Sequence, residues 1–84
     1  MALEVLDLTE FLDDGKVSEA FFLSSVKRLD WSRYQGKRVL VKGCGSTIIP
    51  PWAFMVITAR LVPIARSVCY GNDHDNLQIF RRSD

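Results

Sequence analysis

Two adjacent prolines, Pro50 and Pro51, open the segment that limits the fold most, an apolar run from Trp52 to Leu61. Proline lacks the N–H that the first helical turn leaves unused, so the pair predicts a helix starting near residue 51 and ending at Leu61. Trp52, Phe54, Met55, Val56, Ile57, Ala59 and Leu61 occupy almost its whole circumference, interrupted by Thr58 and Arg60. A helix that is apolar all round must be covered on more than one side. The chain has 84 residues, and one of this size buries only roughly 60–65% of its unfolded surface. One sheet face covers half of such a helix. The remaining half falls either to another helix of the same chain or to a second copy.

The flanks of this helix read as strands. Arg38-Val39-Leu40-Val41-Lys42 is rich in β-branched residues and stops at Gly43, and Ser67-Val68-Cys69-Tyr70-Gly71 has the same character. Strand, helix and strand together predict a right-handed βαβ unit with parallel neighbours. Upstream, Leu3 to Leu8 suggests a first strand and Asp13-Asp14-Gly15 a turn. A one-sided helix is expected at about 18–29, where Phe22, Val26 and Leu29 share a face, Glu19 stands at the start and Lys27 and Arg28 at the end. Asp30 to Lys37 reads as a polar connection carrying Trp31 and Tyr34. Pro63 forces a break after the second helix. Beyond a polar loop at Asn72 to Asn76, Leu77-Gln78-Ile79-Phe80 is expected as a last short strand before a frayed charged tail. The expected architecture is a single α/β domain over residues 1–84, of order β-α-β-α-β-β, with a mixed, largely parallel sheet.

Composition narrows the function. Hydrophobic residues make up 48% and charged residues 25%, which suits an ordered globular domain. Eleven basic residues against ten acidic ones leave a net charge of +1, which supplies no drive towards phosphate backbones or acidic membranes. Neither a nucleic-acid nor a membrane partner is expected. The first eight residues carry Glu4 and Asp7 where an export signal needs a basic start, and two cysteines without such a signal suggest reduced thiols and a cytoplasmic location. Arg60, Arg66, Arg81 and Arg82 read as part of a solvated, charge-balanced surface.

The corner between the second strand and the proline pair holds the candidate chemistry. Gly43, Cys44, Gly45, Ser46 and Thr47 lie where backbone N–H groups and a helix start can cradle an anion. The lysine and third glycine of the known phosphate-binding loops are missing, and the prolines remove two donors. Cys44 could act as a nucleophile with His74, the single histidine, as its base. Cys44, Cys69, His74 and the aspartates beside it could also approach one another at one sheet edge, but their spacing follows no zinc pattern, and neither a metal nor another cofactor is expected. The bland reading is a tight structural turn with a buried cysteine.

Trp31-Ser32-x-Tyr34-x-x-Lys37-x-Val39, Lys42-Gly43-Cys44, Ile49-Pro50-x-Trp52-Ala53, Leu61-x-Pro63-x-Ala65 and Tyr70-Gly71 resemble a bacterial family, common in Bacteroidetes, known as a domain of unknown function. The resemblance covers roughly residues 17–71. It implies no established activity, so no catalytic residue carries over. Relatives of this kind are longer and continue after Tyr-Gly with a Cys-Ser-Thr-type segment where this chain has Asn72 to Asn76. The difference implies that two copies assemble what a longer relative holds in one.

The sequence therefore leads to a non-catalytic cytoplasmic interaction module, self-associating as a homodimer through Trp52, Phe54 and Met55 with Trp31 and Tyr34 beside them. The alternative is a small ligand-binding domain or enzyme built on residues 43–47 with His74.

Overall fold

A computed structural model describes residues 3–43, 48–72 and 74–83. Four strands form one sheet in the order β1-β2-β3-β4, with β1 at Leu3–Asp7, β2 at Arg38–Lys42, β3 at Ser67–Gly71 and β4 at Asn76–Arg81. The first three are parallel and β4 runs antiparallel to β3. Helix α1, Glu19–Arg28, connects β1 to β2, and α2, Pro51–Leu61, connects β2 to β3. The small mixed α/β architecture anticipated from the sequence is present.

Both helices lie on one side of the sheet. Leu6, Val39, Val41 and Val68 form a single buried cluster with Phe22 and Val26 of α1 and Ala53, Ile57 and Leu61 of α2. Strand alternation turns Leu3, Val5, Arg38, Leu40, Ser67 and Cys69 to the opposite face, which carries no helix.

Capping chemistry sets the helix ends. The Ser18 hydroxyl accepts from the Phe21 N–H at 3.5 Å and starts α1, and Glu19 and Lys27 with Arg28 suit its dipole. At the far end, the Trp31 indole donates to the Val26 carbonyl at 2.8 Å, satisfying a group the helix leaves unpaired. The end of α2 is held by the tail. Arg82 donates to the Val62 and Ala65 carbonyls at 2.6 and 3.4 Å, and its backbone N–H bonds to the Arg66 carbonyl at 2.9 Å. The expectation that this tail frays is wrong at Arg82, because its long guanidinium reaches the unpaired carbonyls of the helix end.

Two short 3-10 turns were not anticipated from the sequence. Leu8–Phe11 forms a 3-10 turn capped by the Asp7 carboxylate, which ends β1 one residue before Leu8. Trp31–Tyr34 forms another, capped by Asp30. Asp30 accepts from both the hydroxyl and the N–H of Ser32, and these bonds hold its carboxyl below the usual aspartate range.

Candidate functional site

The connection between β3 and β4 decides where a site can exist. Each parallel step in the sheet brings a helix with it, α1 between β1 and β2 and α2 between β2 and β3. The last step is an antiparallel hairpin and brings none. The helix-side face of β3 and β4 is consequently covered along one flank only, by α2.

An apolar cleft of about 340 Å³ lies along that flank. Val41 of β2, Ile49, Phe54 and Thr58 of the α2 region, Tyr70 of β3 and Ile79 of β4 line it. Phe54 and Tyr70 meet edge to face with ring centroids 5.0 Å apart, which fixes one wall. The Thr58 hydroxyl donates back to the Phe54 carbonyl at 2.7 Å, so this polar side chain spends its proton within the helix and leaves the wall mostly apolar. Next to its lining residues, Ile48 beside Ile49 is 91% exposed, Met55 beside Phe54 71%, and Leu77, paired with Tyr70 in the hairpin, 64%. Exposed residues of this size grouped at one place mark an interaction surface more often than a scatter of single ones does.

The hairpin closes the site from the other side. Gly71 has φ 141°, and a Cβ there would collide with the Asp75 carbonyl oxygen. The Asn72 side-chain oxygen accepts from the N–H groups of His74 and Asp75, at 2.9 and 2.8 Å, and the Asn72 N–H bonds to the Asp75 carbonyl at 3.1 Å. The turn is therefore held by the Asn72 side chain and by backbone groups, with His74 exposed.

The residues singled out in the sequence are distributed unevenly over this geometry. Phe54 lines the cleft, while Met55, the next residue of α2, is exposed and is not part of the lining. Trp52, by contrast, turns towards α1 and meets Phe22 edge to face at 5.3 Å. Trp31 and Tyr34 pack against each other at 5.9 Å, with Tyr34 3% exposed. Burial pushes the Tyr34 phenol above its ordinary pKa, an effect that Arg33 opposes. Four of the five aromatic and methionine residues expected at an interface thus make ring contacts inside the chain, and of these only Phe54 also lines the cleft.

At the strand-to-helix corner, Cys44, Gly45, Ser46 and Thr47 lie outside the described residues. Gly43 abuts the cleft, since a Cβ built on it would touch the Phe54 ring at 3.5 Å. Cys69 sits in the middle of β3 opposite Leu40, rather than at the strand's carboxyl end. Among the described residues, no group of three His, Cys, Asp or Glu side chains converges to hold a metal. None of the described helices is long and apolar enough to cross a membrane. Tyr70, Leu77 and Ile79 were not anticipated here. Their signal is the switch from a helical crossover to a hairpin after β3.

The family described as Protein of unknown function (DUF2480) matches residues 2–83, and the chain belongs to it. No curated protein matches, and no solved structure does.

Proposed function

We propose, for this member of the DUF2480 family, a non-catalytic interaction domain that self-associates through the face formed by α2 and the β3–β4 hairpin. One observation carries the reading: the apolar cleft beside the β3–β4 hairpin, where no third helix packs, with exposed Ile48, Met55 and Leu77 each next to a lining residue in sequence or register. A twofold dimer buries the same patch of each copy, so the patch must complement itself. A largely apolar surface with exposed side chains beside a hollow meets that condition, where a surface of one charge would repel its copy. Met and aromatic side chains are also the residue types enriched at the centres of interfaces.

The test is sedimentation velocity over a wide concentration range, on the wild type and on Met55→Glu and Ile79→Glu. A dimer that each substitution converts to a folded monomer supports the reading. A wild type that stays monomeric throughout contradicts it.

A second reading keeps the same cleft and fills it with a small apolar ligand. Its volume falls within the lower range of small-molecule sites, and Gly43, the first residue of the corner anticipated from the sequence, stands against its Phe54 wall. Thiol labelling across pH separates the two, since a Cys44 that reacts no faster than a free thiol removes the enzymatic form of this alternative.

A further inference from the structure

The sheet ends in two edges, β1 on one side and β4 on the other, and among the described residues no strand lies beyond either. An edge of this kind is a template on which another strand can pair, and folded chains ordinarily disarm it with charge or proline. The two edges differ in this protection. β1 carries Glu4 and Asp7 within five residues and no base, so a copy of β1 laid beside it sets like charges together. β4 is six residues long, holds no charge from Asn76 to Phe80 and contains neither proline nor lysine. Its Leu77 is 64% exposed and its Ile79 49%. One bulge, with Ile79 as the extra residue, interrupts the register against β3, and it twists the strand without charging it.

Charge along the hairpin selects the kind of strand that fits. Asp75 precedes β4 and Arg81 ends it, and both are exposed. An antiparallel partner brings its own end against this strand's start, so a second copy of β4 carries an arginine to Asp75 and an aspartate to Arg81. Directly opposed residues of an antiparallel pair lie on the same face. Leu77 and Ile79 share the cleft side, since Leu77 is paired with Tyr70, whose ring meets Phe54 of α2, and Ile79 lines the cleft. The register that sets Leu77 of one copy opposite Ile79 of the other puts Gln78 on the twofold axis and Asp75 opposite Arg81. A single register thus matches the apolar residues and the charged ones together.

We propose that β4 pairs antiparallel with β4 of a second copy about a twofold axis at Gln78, joining the four strands of each copy into one continuous sheet. The inference rests on the self-association proposed above and specifies the hairpin's part in it. A twofold axis repeats every contact, so the Leu77–Ile79 pair and the Asp75–Arg81 pair each form twice. Opposite charges facing each other across strands attract where like charges repel, which makes β4 suited to its own copy and β1 unsuited to its own. The main-chain bonds of strand addition supply affinity, and the side-chain pairs set the register.

The experiment is sedimentation velocity on the wild type, on Asp75→Arg, on Arg81→Asp and on an equimolar mixture of the two variants. Both positions are exposed at the ends of an edge strand, so the variants should keep the fold, which circular dichroism verifies. Each variant alone opposes like charges at two places and should weaken the dimer roughly tenfold or more. The mixture again sets an arginine against an aspartate at both places, and should associate about as tightly as the wild type. Amide hydrogen exchange of the wild type gives a second readout, in which protection at residues 76–81 rises with protein concentration more than protection in β1 does. A dimer undiminished in both folded variants, a mixture no tighter than the variants alone, or β4 protection that ignores concentration overturns edge pairing while self-association through α2 stands. A wild type that stays monomeric at every concentration overturns both, and leaves the edge to a strand of another protein.

Discussion

Trp52 and Phe54 lie two residues apart on α2, and each presents a ring edge to face against another aromatic, Trp52 against Phe22 at 5.3 Å and Phe54 against Tyr70 at 5.0 Å. The two contacts are alike in geometry and differ in what stands behind them. Phe22 is fully buried and leans in turn on Phe11 at 5.3 Å, so the Trp52 flank closes on the core. Tyr70 is 43% exposed, and the Phe54 flank ends in a cleft. The cause is topological: a parallel crossover delivers a helix to one flank, and a hairpin delivers none to the other.

Breaking the closed flank should cost most. Phe22→Ala is expected to destabilise the domain by about 3–5 kcal/mol, because the surrounding rings cannot collapse into the space, whereas the half-buried Phe54→Ala should cost only ~1–2 kcal/mol. Urea unfolding of both variants checks the contrast, and equal losses would mean that the two flanks are equally closed.

The hairpin offers the next largest effect. Gly71→Ala places a methyl group against the Asp75 carbonyl and the Asn76 Cα at a backbone angle that L residues rarely adopt. A loss of about 1–3 kcal/mol is expected. Hydrogen exchange should show it concentrated in β3 and β4, with α1 nearly unaffected. Smallest is Trp31→Phe, which keeps the ring contact with Tyr34 but removes the donor to Val26, at a cost of about 1 kcal/mol by thermal unfolding.

The same comparison shows what the amino-acid sequence reveals. The strands and α2 were legible because local signals coincide there. Val39, Leu40 and Val41 are β-formers before a glycine, and Pro51 stands where a helix begins. The assignment of neighbours was not. Trp31 and Tyr34 sit in a polar-looking connection, yet the Asp30 cap folds it into a 3-10 turn that buries Tyr34. Their place depends on tertiary packing, which no local pattern encodes. The corner reading reached Gly43 and the interface reading reached Phe54, but neither reached Tyr70 or Ile79, which join the cleft through sheet order. Cross-strand neighbours were hidden for a similar reason: Arg38 and Arg81 are 43 positions apart, and only the register of three strands makes both neighbours of Ser67. Arg60, grouped with Arg66 and Arg81 in the sequence, lies on the exposed side of α2, and Arg82 turns to the helix end.

The exposed side of α2 can be probed directly through Met55, whose thioether is oxidised by peroxide at a rate set by its exposure. Residue-resolved mass spectrometry of that rate at dilute and at high protein concentration decides whether a second copy covers the face. Oxidation that slows markedly as concentration rises, and does not slow in Ile79→Glu, is the predicted result. An unchanged rate at every concentration would contradict it.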